Sequence, residues 1–249
     1  MSLFAWLRPS QPTLDDVQRQ RLAGLGTPPV LGETPLGKQR WVVLDLETSG
    51  LNVNRDQVLS IGAVVIEDGA IDFSQQFERT LHRHDHKLAP SVLIHGLAPS
   101  AIAAGCDPVE ALLDLMDFIG DSPLLAFHAG FDQRMLSRAL KDSLGYKLVH
   151  PFMDVAELAP LLNPDVVMRD AGLDDWVAHF KLLVEERHNA SADAQVTAEL
   201  ALILFSQARR QQLDSPKALE QRLQGWRRKR QQSHGMKSPF PDPAESDER

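Results

Sequence analysis

The order of apolar and polar residues predicts strands in the first half of the chain. An apolar run begins at Trp41, a second run covers residues 58–66, and a third, in which apolar residues are spaced among polar ones, covers residues 71–81. The turn pair Asp68-Gly69 joins the second run to the third, as in a tight hairpin. The three runs therefore predict an antiparallel meander.

Downstream, the apolar spacing changes to that of helices. A capping pattern at residues 107–110 predicts a helix that runs to about Ile119, and a short strand is predicted at residues 123–127. Helical periodicity is strong over residues 132–140 and 193–208. Strands first and helix, strand, helix afterwards predict an α/β fold, with a mixed five-stranded sheet flanked by helices.

The two ends of the chain differ in composition from its centre. Residues 1–40 are rich in proline and glycine, which predicts an irregular N-terminal extension with one short helix near residues 14–25. Residues 41–210 are the predicted globular domain. Residues 211–249 contain a basic run and then serine, proline and acidic residues, which predicts a basic, disordered C-terminal tail. Such a tail could follow a nucleic-acid backbone, dock a partner protein or only add solubility.

Composition narrows the class of protein. With 249 residues and 43% hydrophobic content, the chain can bury one core. Its single cysteine, Cys106, excludes an intrachain disulfide and a zinc site built on paired cysteines. No apolar run approaches membrane-spanning length, so we expect a cytoplasmic protein with no membrane partner. A net charge of −8 argues against a protein that coats nucleic acid, although it allows an enzyme that meets phosphate through metal ions.

The first predicted strand ends in two carboxylates, Asp45 and Glu47. Because side chains alternate across a strand, both must project from the face that Val43 also occupies. Two like charges at the end of a buried strand repel each other, and a cation between them would remove this cost. Ligation by oxygen alone favours magnesium or manganese over zinc. The alternative is an ordinary strand end, with both acids solvated where the chain turns at Ser49-Gly50.

Two further carboxylates, Asp132 and Asp193, lie in the first turn of a predicted helix on its apolar face. The apolar face contains Met135, Leu136, Ala139 and Leu140 in the first helix, and Val196, Thr197, Leu200 and Ala201 in the second. A helix N-terminus stabilises such a charge by only roughly 0.3–1 kcal/mol, whereas burying an unpaired ion costs several. Either acid alone could be an ordinary first-turn acid. Together with the strand, they predict a compensating cation.

His188 lies five residues before Asp193, and the residues between them are mostly small. Such a loop could bring an imidazole over a site that Asp193 helps to form. Histidine side chains ordinarily titrate near neutral pH, which suits the acceptance of a proton from water. A lone histidine before a helix is more often a surface residue. Only the short spacing between His188 and Asp193 favours a role for this histidine in the site.

Three short motifs in this order resemble those of the DEDDh family of 3′-to-5′ exonucleases, the DnaQ-like group within the ribonuclease H-like fold. The motifs are DLETSG with Asp45 and Glu47, FHAGFD with Asp132, and HNASAD with His188 and Asp193. They cover about residues 41–205, and the chain is similar to the proofreading epsilon subunit of bacterial replicative polymerases. One departure is Phe127-His128, where family members commonly carry His-Asn.

The resemblance implies a two-metal site that uses Mg²⁺ or Mn²⁺. Asp45 would bridge two ions roughly 3.5–4 Å apart. Glu47 and Asp193 would complete the coordination of one ion, and Asp132 would hold the other, partly through water. His188 would remove a proton from the attacking water, and the product would be a nucleoside 5′-monophosphate.

The resemblance also implies residues that bind the substrate. The Thr48 backbone and Leu51 would recognise the 3′-hydroxyl and sugar of the terminal nucleotide. His95, Leu97 and Phe131 would stack or wedge against the end bases.

Three functions remain open at this point. The leading one is hydrolysis of DNA from the 3′ end of single strands or frayed duplexes, alone or with a polymerase partner. An exoribonuclease would differ only in how the pocket treats the 2′-hydroxyl. The third is a catalytically silent module that docks on a polymerase assembly.

Overall fold

A computed structural model of the chain describes residues 13–28, 30–83, 98–168, 171–184 and 188–235. The strands are β1 (Trp41–Thr48), β2 (Val58–Glu67), β3 (Ala70–Thr80), β4 (Leu124–Ala126) and β5 (Phe152–Asp154). The helices are α1 (Asp16–Gly24), α2 (Pro99–Ala103), α3 (Pro108–Ile119), α4 (Ala129–Leu144), α5 (Val155–Leu162), α6 (Leu173–Phe180), α7 (Ala190–Arg210) and α8 (Pro216–Gly235).

The five strands form one mixed sheet in the order β3-β2-β1-β4-β5. β1, β2 and β3 pair antiparallel, whereas β4 is parallel to β1 and β5 is parallel to β4. The predicted five-stranded sheet and its antiparallel meander are therefore confirmed. The chain position of β5 was not predicted, because this strand has only three residues and leads directly into α5.

The core has two layers, one on each face of the sheet. Val43 belongs to the layer that contains α5, α6, α7 and the buried side of α8. Val42 and Leu44 belong to the other layer, with α3 and α4. This division confirms the predicted alternation along β1. α7 lies across β1 and β2, so its N-terminus can reach residues on the same face as Val43.

The N-terminal extension contributes more to the core than the sequence predicted. α1 agrees with the short helix expected near residues 14–25, and Asp15 caps it by accepting a hydrogen bond of 2.8 Å from the Gln18 N–H. The following segment is irregular, yet Leu36 is fully buried and its carbonyl accepts a hydrogen bond from the Trp41 indole. The extension therefore packs on the domain instead of lying outside it.

The predicted disorder of residues 211–249 is wrong for α8. Leu219 and Leu223 are fully buried on one side of this helix, and Ser215 accepts a hydrogen bond of 3.2 Å from the Ala218 N–H at its start. The basic residues obscured this apolar spacing in the sequence. Residues 236–249 lie outside the described part. Among the residues that the structure describes, no helix has the length and apolar content needed to cross a bilayer.

Candidate active site

The carboxyl ends of β1, β4 and β5 lie at the same edge of the sheet, because these three strands are parallel. Near this end of β1, the carboxylate of Glu47 is buried and that of Asp45 is half-buried. The pairing of β1 with β2 shifts register between Glu47 and Thr48, which is a bulge. Bulges commonly redirect side chains beside active sites.

The N-terminus of α7 lies directly against β2 at this edge. Asn189 caps the helix, and its side chain accepts hydrogen bonds from the N–H groups of Ser191 and Ala192, at 3.0 and 3.2 Å. Gly62 of β2 pairs with Asp45, and a Cβ atom at Gly62 would lie 2.2 Å from the Ala190 carbonyl carbon. Only glycine leaves room for this approach, which places the first turn of α7 over β1.

The contact between α7 and the sheet brings three predicted ligands together. One carboxylate oxygen each from Asp45, Glu47 and Asp193 lies within 4.8 Å of the others. Asp193 is 8% exposed, so the predicted burial of this first-turn acid is confirmed. Carboxylate oxygens alone fit a hard divalent cation, which would neutralise their mutual repulsion. The donor set therefore fits the implied metal.

Asp132 lies in the first turn of α4 and is 4% exposed, which confirms its predicted burial. Burial raises the pKa of its carboxyl group to about 8, and the negative charges of Asp154 and Glu47 add to the rise. Hydrogen bonds from the backbone N–H groups of Asp132 and Leu46 oppose it. Without a cation nearby, burial thus favours the protonated form of the Asp132 carboxyl group.

Asp154, at the end of β5, was missed in the sequence. Its carboxylate accepts hydrogen bonds of 3.0 Å from the His128 N–H and from the Ala156 N–H, so it joins the start of α4 to the start of α5. Burial raises the pKa of Asp154, and the charge of Glu157 raises it further. Asp154 and Glu157 are three residues apart, as in the capping pattern at a helix start. This pattern could have identified Asp154 from the sequence.

The unusual Phe127-His128 pair lies at the start of α4. Phe127 is buried, whereas His128 is exposed and has a φ of +60°, a left-handed conformation that non-glycine residues rarely adopt. The hydrogen bond to Asp154 holds this turn in place. The departure from the family pattern is therefore accommodated by the contact with β5.

His188 lies at the same end of α7 as Asp193, one residue before Asn189, which caps the helix. Its side chain is exposed, and its φ is +61°. The predicted proton acceptor is thus in the loop that leads into the carboxylate cluster, with its imidazole open to solvent.

The predicted substrate-binding residues have different surroundings. Thr48 is buried and its hydroxyl donates a hydrogen bond of 2.9 Å to the Gly50 carbonyl, whereas Leu51 is 85% exposed. Phe131 is half-buried in the first turn of α4. His95 and Leu97 lie outside the described residues.

Comparison with known proteins identifies a matching family model and several proteins of similar sequence. The family model described as exonuclease, RNase_T, matches residues 42–201. The PolC-type DNA polymerase III of Clostridium perfringens is 31% identical over 186 residues, which are 74% of this chain and 12% of that protein. The PolC-type polymerase of Thermotoga petrophila is 32% identical over 162 residues, which are 65% of this chain and 12% of that protein. The chain therefore spans about an eighth of these relatives.

Solved structures of Escherichia coli exonuclease I share the fold. The complex with a dT13 oligonucleotide has a TM-score of 0.57 at 16% identity, covering 70% of this chain and 42% of that one. The zinc-bound form, also a complex with single-stranded DNA, has a TM-score of 0.55 at 17% identity, covering 71% of this chain and 42% of that one. The predicted ribonuclease H-like fold is confirmed.

Proposed function

Since this chain belongs to the RNase_T exonuclease family, we propose that it is a divalent-metal-dependent exonuclease that removes nucleotides from the 3′ end of DNA. The cluster of Asp45, Glu47 and Asp193 carries this proposal, because three carboxylates so close together suit a metal-assisted phosphodiesterase. The PolC-type relatives are DNA polymerases, and exonuclease I was solved with single-stranded DNA, which favours DNA as the substrate.

The carboxylates would hold the metal. Asp45, Glu47 and Asp193 converge on one position, and Asp132 lies close enough to Glu47 for their charges to interact. When bound, Mg²⁺ or Mn²⁺ would neutralise charge on the phosphate and promote the ionisation of water. By holding the metal, the carboxylates would set the position of the scissile phosphate at the carboxyl edge of the sheet, where β1 and α7 meet.

His188 acts as the general base in this proposal. Its imidazole takes a proton from the attacking water, whose oxygen forms a new bond to the terminal phosphorus. The bond from that phosphorus to the 3′-oxygen of the preceding nucleotide breaks, and the 3′-oxygen gains a proton. The products are a nucleoside 5′-monophosphate and a strand shortened by one nucleotide.

The residues beside the cluster would orient the terminal nucleotide. Leu51 is exposed just beyond the end of β1, where it can pack against a sugar. The Thr48 hydroxyl is already bonded within the turn, so its backbone is the group available to the 3′-hydroxyl. Phe131, at the start of α4, can contact an end base.

Hydrolysis of labelled strands tests the reaction. Single-stranded DNA, duplex DNA with a mismatched end, and RNA are each incubated with Mg²⁺, Mn²⁺ or a chelator. We expect DNA labelled at its 5′ end to give a ladder and DNA labelled at its 3′ end to release mononucleotide first, only when metal is present. Release of labelled mononucleotide from the 5′ end, or undiminished hydrolysis in chelator, would contradict the proposal.

A matched pair of variants tests the site. Asp45→Asn should abolish hydrolysis, because it removes a charged ligand with little change in shape. Asp142→Asn, an exposed acid near the other end of α4, removes the same charge and should leave the rate unchanged. Equal rates for Asp45→Asn and the unmodified protein would reject the assignment.

A further inference from the structure

Helix α8 runs antiparallel to α5. Near its middle, Arg222 and Trp226 line a cleft together with Leu161 and Leu162, which end α5. Gln211, before α8 begins, donates a hydrogen bond of 3.2 Å to the Leu162 carbonyl at the end of α5, whereas the Arg227 Nε, late in α8, donates one of 2.8 Å to Glu157 in the first turn of α5. As α8 advances, it therefore passes from the end of α5 to its beginning.

The beginning of α5 is at the edge of the sheet that carries the candidate site. α5 starts after Asp154, the last residue of β5, and Asp154 in turn contacts the first turn of α4 through the His128 N–H. The negative charges of Glu157, Glu220 and Asp154 raise the pKa of Arg227, so the arginine and Asp154 interact electrostatically. The last turns of α8 thus extend toward the carboxylate edge.

These last turns hold a concentration of positive charge. The basic residues of α8 are Lys217, Arg222, Arg227, Arg228, Lys229 and Arg230, and its single acid is Glu220. Arg228, Lys229 and Arg230 are exposed, and the Arg230 guanidinium lies 4.6 Å from the ring centre of Trp226. Clefts of about 600 and 260 Å³ open beside Trp226. The whole chain, in contrast, carries a net charge of −8.

We propose that residues 226–231 bind the phosphates of the nucleic-acid strand whose 3′ end lies in the carboxylate site. This inference rests on the proposed function. An acidic protein repels a polyanion, so a local cationic surface is needed to hold a strand beside a cluster of acids. Arg227 is anchored by Glu157, which fixes the helix, while the exposed cations in the turn after it supply the positive charge that attracts the phosphates of the strand. The surface retains the strand behind the end that is being cut.

A triple variant tests this surface. Arg228→Gln, Lys229→Gln and Arg230→Gln together remove three exposed charges and leave the Arg227–Glu157 ion pair intact. The matched control is Lys38→Gln, Arg209→Gln and Arg210→Gln, which removes three exposed charges at the opposite edge of the sheet, before β1 begins and where α7 ends. Both variants have the same net charge, and thermal unfolding should show both to be folded.

Binding is measured by fluorescence anisotropy with a single strand of about 20 nucleotides, longer than one binding site of this kind. A chelator prevents hydrolysis, so this measurement does not depend on the proposed reaction. At about 50 mM salt we expect the α8 variant to bind at least about fivefold more weakly than the control variant. The slope of log K against log salt should fall by about 2, since each single-strand phosphate contact contributes about 0.7. Unchanged affinity, as for a helix that instead docks an acidic protein, or equal weakening in the control, would overturn the proposal.

Kinetics with metal gives a second readout. The α8 variant should raise KM for the long strand by a similar factor, while kcat and the hydrolysis of a dinucleotide stay unchanged, because the carboxylate site is intact. If no substrate is hydrolysed by any form, the proposed function fails and the binding result still decides the role of α8. A loss of kcat on the dinucleotide in the α8 variant would contradict a role limited to the strand behind the cut.

Discussion

At the scale of single residues, Asp132 is a buried acid. The free energy needed to ionise its carboxyl group depends on whether a cation occupies the site. The pKa of its carboxyl group is raised from a usual value of 3.8 to about 8, with burial as the main cause. An acid with a raised pKa binds more protons in the folded state than in the unfolded state between these two values. The stability of the metal-free fold should therefore decrease as the pH rises from about 4 to about 8.

Thermal unfolding in chelator across this pH range measures the effect. We expect Tm of the unmodified protein to fall as the pH rises. Tm of the Asp132→Asn variant should fall less, because an amide has no charge to bury. Adding Mn²⁺ at about pH 8 should raise Tm of the unmodified protein more than that of the variant. If Tm depended on pH in the same way in both proteins, ionisation of Asp132 would not lower the stability of the fold.

His188 is expected to act on rate and not on stability, since its side chain is exposed. His188→Ala should lower kcat on DNA by about 10²–10⁴-fold and remove the acid limb of the pH–rate profile, while Tm stays unchanged. His179→Ala, an exposed histidine at the end of α6, serves as the control. An unaltered profile in the His188 variant would leave the general-base role without support.

At the scale of secondary-structure elements, the sequence predicted those features that depend on the spacing of apolar residues. The positions of Asp132 and Asp193 on apolar faces predicted their burial, because helical spacing alone decides which side of a helix a residue occupies. The contact of Asp154 with His128 could not be predicted in this way, since it joins two strand ends that are distant in the chain. α8 was missed because its charges dominate the composition and its apolar side is narrow.

The close contact between α7 and β2 gives a prediction at this scale. A Cβ atom at Gly62 would lie 2.2 Å from the Ser191 nitrogen, so Gly62→Ala must displace the first turn of α7 and with it Asp193. We expect activity to fall by roughly 10²-fold, as misplacement of a catalytic group by about 1 Å does, and the metal concentration needed for activity to rise. Titration of activity with Mn²⁺ measures both quantities. Gly26→Ala, where no atom lies within 4 Å of the added Cβ, should behave as the unmodified protein.

At the scale of the whole molecule, the N-terminal extension and the C-terminal helix are tied to each other. The Lys217 N–H donates a hydrogen bond of 3.1 Å to the Gly32 carbonyl, and the Leu36 N–H donates one of 3.2 Å to the Asp214 carbonyl. Glu33 accepts a hydrogen bond of 2.9 Å from the Ser215 hydroxyl. The charge of Lys217 and the Ser215 hydroxyl lower the pKa of Glu33. The irregular extension thus supports the start of α8.

Truncation of Leu36 tests this support. The side chain is fully buried, so Leu36→Ala should lower the free energy of unfolding by about 2–5 kcal/mol. Val30→Ala, at a side chain 90% exposed, should change it by less than about 0.5 kcal/mol. Denaturation by urea measures both values. Equal stability of the two variants would mean that the extension is not part of the folded unit.

The link between residues 32–36 and 214–217 also sets limits for protein engineering. A fragment trimmed to the family-matched region, residues 42–201, would keep all the carboxylates of the cluster but expose the apolar surface that the extension and α8 cover. Such a fragment should aggregate on expression. A soluble minimal fragment should instead span residues 13–235, which keeps α1 and its buried Leu14, and fusion tags belong outside those limits.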